Sequence, residues 1–155
     1  MSAIKSFLLA IEMATRKRDQ AGQLVVRAQN ACGFAQDQMG QLETYAAETE
    51  ARWTAAAQIS TSMEMLRHHY QFMGRLEHAI GLQKEVLENE ARKVAQAQKV
   101  LLDAEFRLVS LKQVLAKKQA GIDVLLARRE QKEMDEFASM RRQQFSEEFS
   151  SGDRS

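Results

Sequence analysis

The sequence predicts an all-α fold: a single coiled-coil domain over residues 1–155, built as a long two-stranded antiparallel hairpin with a C-terminal helical overrun. Three observations predict it. The chain has no proline and only seven glycines, while 28% of its residues are charged and 6% aromatic, a composition of long helices with little material for a broad core. Two seven-residue apolar registers run almost without interruption through it. A short stretch between them, QIST, carries a helix-start signal.

The first helix is predicted over about residues 3–57. Alternating steps of three and four from Ile4 reach Phe7, Ile11, Ala14, Arg18, Ala21, Val25, Ala28, Cys32, Ala35, Met39, Leu42, Ala46, Thr49, Trp53 and Ala56. Only Arg18 and Thr49 in that series are not apolar. Alanine at every second position from Ala14 to Ala35 lets a partner helix approach closely. Cys32 lies in this seam and has no second cysteine to pair with, so it reads as a small packed thiol.

The turn is predicted at about residues 58–61. Thr61 followed by Glu64 fits a capping box, in which each side chain accepts a hydrogen bond from the other's backbone N–H. The joint lacks glycine and proline, so one continuous helix is the competing reading; a hairpin is favoured because single helices cannot bury two such seams.

The second helix is predicted over about residues 62–148, with a frayed tail at 149–155. Leu66, Met73, Ile80, Leu87, Val94, Leu101, Leu108, Leu115 and Ile122 follow at strict sevens. The companion row mixes apolar Leu76, Ala97, Ala104, Leu111 and Leu125 with polar His69, Gln83, Glu90 and Lys118, which suits a two-stranded seam and can set its register. Folding back near residue 60 opposes position 4 to a position near 115. At about 1.5 Å per residue the second helix then overruns the first substantially.

Several function classes are disfavoured. The 22 basic and 21 acidic residues are interspersed, so no broad electropositive face exists for nucleic acid. The run FLLAI at residues 7–11 is followed at once by Glu12, Arg16, Lys17 and Arg18 and is too short for a signal-peptide core or a membrane span; a cytoplasmic protein is expected. Phosphate-cradling glycine loops, paired-cysteine motifs and hydrolase signatures are missing, which points to a non-enzyme without a cofactor. His68, His69 and His78 project in different directions or lie far apart along the axis, so a metal site would need another chain.

Two stretches carry candidate binding residues. Near the turn, Met65, Phe72, Ala79 and Val86 repeat at sevens one position before the seam and widen the apolar stripe. Phe72, Leu76, Ala79 and Gln83 form a strip beside the seam, covered either by a bend or third helix or by an external partner. In the overrun, Met134, Phe137, Arg141 and Phe145 share one face, with Arg128, Arg129, Lys132 and Arg142 around it. That end is either simply solvated or presents apolar anchors with basic groups; Glu130, Glu133, Asp135 and Glu136 weaken a membrane-surface reading.

These stretches resemble the flagellar export protein family FliJ. Gln71, Phe72, Leu76, Glu77, Ala79 and Ile80 are similar to the run that opens the family's second helix. Gln131, Lys132, Met134, Asp135, Glu136, Phe137 and Ala138 are similar to its more specific C-terminal run. The resemblance implies an antiparallel coiled coil similar to the gamma stalk of rotary ATPases, cytoplasmic and peripheral to the inner membrane at the flagellar base. Its implied partners are the hexameric export ATPase FliI, the ATPase regulator FliH, the cytoplasmic domain of the export gate FlhA, and chaperones of late export substrates, with the membrane met only through the export apparatus. It implies gate binding by Phe72, Leu76, Ala79 and Gln83, and ring binding by Gln131, Lys132, Met134, Asp135, Phe137 and Arg141. The stalk of a virulence-type injectisome, or a generic coiled-coil scaffold or membrane-surface adaptor, are the alternatives.

Overall fold

The computed structural model describes residues 2–152, and within them two helices account for nearly every residue: α1 (Ser2–Ile59) and α2 (Met63–Gly152). They pack against one another as an all-α hairpin. Residues 149–152, expected to fray, continue α2, and residues 153–155 lie outside the described part.

The turn is Ser60, Thr61 and Ser62. It closes without glycine and without any positive-φ residue among those described. Ser60 N–H donates to Ala56 O at 3.2 Å, completing the last turn of α1. The cap of α2 is Ser62 and not Thr61: Met65 N–H donates to Ser62 Oγ at 3.2 Å, and Leu66 N–H to Ser62 O at 3.0 Å. The capping box is therefore replaced by a simple serine cap. With Ser62 as the cap, the third helical residue is Met65, which has no carboxylate to reach back. Glu64 sits in the first turn, where its charge complements the helix dipole.

The chain separates into two units. The larger, Glu12–Leu108, contains the turn and both helix segments that meet it. Here the expected α1 seam is the inward row: Ala14, Ala21, Val25 and Ala35 are buried, and Arg18, Ala28, Cys32, Met39, Leu42, Ala46, Thr49 and Trp53 are half-buried. Ala56 is the exception, exposed beside the turn while Ala57 is half-buried. On α2 Leu76 and Leu108 are buried, and Leu66, Met73, Ile80, Leu87, Val94 and Leu101 are half-buried. A two-stranded seam covers each side chain from one side only, so its core is narrow. Each largely buried leucine still contributes roughly 1.5–3 kcal/mol.

Antiparallel register is read from the cross-helix contacts. Gln83 meets Ala35, Phe72 meets Tyr45, and His69 meets Glu50 and Trp53, so α2 descends as α1 rises. Three polar seam residues of α2 have specific partners in this unit. His69 Nε2 lies 3.2 Å from Glu50 Oε2 and its ring stacks on Trp53 at 4.4 Å; Glu90 is paired with Lys93 at 3.5 Å. Gln83 donates to the Ala35 carbonyl at 2.9 Å, a contact made possible by the small side chain at that position.

The second unit gathers Met1–Ile11 with Val109–Ser155. Ile4, Phe7 and Ile11 are half-buried, as are Leu111 and Leu115. Lys118 places its Nζ 4.5 Å from the centroid of the Phe7 ring, so this polar seam position is satisfied by a cation–π contact. The α2 seam ends earlier than its pattern. Ile122 is 41% and Leu125 65% exposed, because the described part of α1 begins at Ser2 and leaves little or nothing opposite them. From residue 116 to residue 152 every position is exposed.

Candidate functional site

The strip beside the seam near the turn divides into two classes of residue. Phe72, at 36% exposure, stands at the surface, and Ala79 is half-buried. Leu76 is only 8% exposed and belongs to the seam, and Gln83 is half-buried with its amide engaged by Ala35 O. The strip is thus open only in part: a step of four from Phe72 moves inward to Leu76, which the seam covers, whereas steps of seven stay outside. The accessible row is Met65, Phe72 and Val86, with Ala79 recessed among them.

The hairpin adds residues of α1 to this surface. Tyr45 meets Phe72 edge to face, with ring centroids 6.0 Å apart at 81°. Gln38 Oε1 accepts from the Gln83 amide at 3.5 Å. Neither was among the sequence candidates, although a signal existed. Gln38 and Tyr45 are spaced by seven, each one position before a seam residue, Met39 and Ala46, as Phe72 precedes Met73. The surface is therefore aromatic at its centre and amide-bearing at one edge, a combination suited to a protein partner.

In the overrun, α2 brings Met134, Phe137 and Arg141 to one face. They line a groove of about 600 Å³ together with Glu130, Glu133 and Ala138. Arg141 lies over the Phe137 ring, its guanidinium carbon 5.7 Å from the centroid. Phe145 and Phe149 extend the apolar stripe and stack at 6.4 Å. Gln131 and Asp135 are tied to each other by a 3.2 Å hydrogen bond on the neighbouring face. At about 100° per residue, Lys132 projects away from Met134 on the far side of the helix. Of the six residues expected at the ring, three share the groove, two are adjacent and one is apart. Phe149 was not a sequence candidate because it fell in the tail expected to fray.

The histidines do not converge: His69 is engaged by Glu50 and Trp53, and among the described residues no group of three or more histidine, cysteine or acidic side chains is disposed to hold a metal ion. Cys32 is half-buried in the seam.

A family model described as the flagellar FliJ protein matches residues 5–146. The chain belongs to the flagellar FliJ family. No curated protein matches it at a significant level. The FliJ match spans both candidate surfaces, from Tyr45 and Phe72 through Arg141 and Phe145, and stops short of Phe149. A flagellar, export-related role follows from FliJ membership, and among the described residues no helix is long and apolar enough to cross a membrane.

Proposed function

We propose that this chain is a non-catalytic stalk and adaptor of the flagellar type III export apparatus. It binds the hexameric export ATPase FliI through the end of α2, promotes ring assembly and activity, and couples the ring to the export gate FlhA through the surface around Phe72. FliH and chaperones of late substrates complete its partner set, and it works in the cytoplasm at the inner-membrane base of the flagellum.

The observation that carries this reading is the state of α2 beyond residue 116. It is an ordered helix with every described residue exposed, yet it bears Met134, Phe137, Phe145 and Phe149 along one side. Large apolar side chains left along one side of a helix in water mark a surface that a partner covers. Glu130, Glu133 and Arg141 around them favour a protein partner over a lipid surface, since interspersed carboxylates weaken binding to anionic lipid.

The mechanism is a population shift. A ring offers several equivalent seats and a single helix cannot engage them all alike, so contact stabilises some subunit conformations over others. Ring formation is favoured because the helix binds the assembled form better than free subunits. At the gate end, Phe72 and Tyr45 supply an aromatic pair pre-organised by the hairpin.

A paired pull-down tests the assignment of ends. Phe137→Ala should lose purified FliI while retaining the FlhA cytoplasmic domain, and Phe72→Ala should do the reverse. If each variant kept both partners at wild-type levels, the assignment would be wrong.

A further inference from the structure

On the side of the seam away from Phe72, the hairpin holds a second groove, of about 380 Å³, between α1 and α2. Tyr70, Gly74 and Glu77 line it from α2 at helical steps of four and three, so they share one face; Glu50 and Trp53 line it from α1, and His69 lies between. His69 is fixed: its side chain is 10% exposed, stacked on Trp53 at 9°, with Nε2 3.2 Å from Glu50 Oε2. A carboxylate only accepts, so His69 carries the hydrogen in that contact. Tyr70 continues the aromatic series, its ring centroid 6.4 Å from that of His69.

The groove presents ring faces, two carboxylates and the apolar side chains of Leu66 and Met73, and no lysine or arginine lines it. Among the described residues the Glu77 side chain makes no hydrogen bond or ion pair. Gly74 keeps one wall open. It is helical, its φ is negative, and a Cβ added there would meet nothing within 4 Å, so neither backbone nor packing requires glycine at this position.

We propose that this groove receives an arginine side chain of a partner protein. A guanidinium stacks on aromatic faces and donates several N–H groups to carboxylates at once, which matches Tyr70, Glu77, the Trp53 face that His69 does not cover and the Glu50 oxygen that His69 does not engage. An ammonium lacks the planar fork that meets a ring face and a carboxylate together, and an anionic side chain would be repelled by Glu50 and Glu77, the indole N–H of Trp53, the His69 ring and the Tyr70 hydroxyl being the donors of the lining. This site is separate from the surface around Phe72, so it stands or falls independently of gate binding.

Trp53 is the only tryptophan in the chain, and its emission reports occupancy directly. The full-length protein is titrated with the peptide acetyl-Gly-Arg-Gly-Arg-Gly-amide and, at the same ionic strength, with its citrulline counterpart, which keeps the shape and loses the charge. The arginine peptide is expected to change the emission saturably and the citrulline peptide not at all. Glu77→Gln should weaken binding about fivefold. Gly74→Leu should abolish it by filling the groove, with helix content by circular dichroism retained. A response that does not saturate, an equal response to citrulline, or unimpaired binding by Gly74→Leu overturns the proposal.

Discussion

Gln83 reaches across the hairpin and donates its side-chain amide to the main-chain carbonyl of Ala35, 2.9 Å away. A helical carbonyl keeps a lone pair free after its own intrahelical bond, and only a small residue at that point lets another helix's side chain come so near. Ala35, at 3% exposure, is that residue. The pair fixes register at the middle of the hairpin. Gln83→Ala is therefore expected to cost about 1 kcal/mol of stability. Ala35→Leu should cost about 1–3 kcal/mol by overpacking the closest approach. Because the two residues touch, the double variant should depart from additivity in denaturant titration.

Ser62, as the cap of α2, makes a sharp prediction at the turn. Ser62→Ala should lower stability by about 1 kcal/mol, whereas Thr61→Ala should stay within about 0.5 kcal/mol of the parent. Urea denaturation followed by circular dichroism measures both. A larger loss at Thr61 than at Ser62 would return the cap to the neighbouring residue.

The place where α2 leaves the seam predicts a contrast between two leucines. Leu108 is 3% exposed and Leu125 is 65% exposed although both fit the sequence pattern. Leu108→Ala should cost about 2–5 kcal/mol, and Leu125→Ala no more than about 0.5 kcal/mol. Thermal melts of the two variants provide the comparison.

Gly40 and Gly81 lie inside helices with negative φ, and a Cβ at either would meet nothing within 4 Å. Alanine should fit both without strain and reduce the entropy of the unfolded chain. Each substitution is expected to raise stability by about 0.4–1 kcal/mol, read as an increased denaturation midpoint. A decrease would mean that these positions are packed more tightly than the geometry describes.

The seam of the hairpin was legible because the period of seven imposes a physical consequence: a residue every two turns stays on one side of the helix. Ala14, Ala21, Val25 and Ala35 appear in that pattern and are buried. The same pattern continues through Ile122 and Leu125, where it fails, because periodicity describes a face and not whether another helix lies against it. The cap was displaced by one residue since Ser60, Thr61 and Ser62 are chemically similar and only the chain's path selects among them. At the candidate surfaces, Phe72 and Phe137 were readable as apolar residues outside the seam. Tyr45 showed only its spacing of seven from Gln38, and its meeting with Phe72 depends on the register between helices that are distant in sequence. Leu76 was placed on the open strip as well as in the seam, and packing resolved it to the seam.

The central claim is that the exposed end of α2 is what engages the export ATPase, and assembly of purified FliI into rings tests it most directly. Ring formation would be followed by sedimentation and ATPase rate in the presence of wild-type protein, Phe137→Ala, and Phe106→Ala. Phe106 serves as a control, an exposed phenylalanine of the other unit. Wild type and Phe106→Ala are predicted to promote assembly equally, while Phe137→Ala, with unchanged helix content, promotes little. Full promotion by Phe137→Ala would contradict the account.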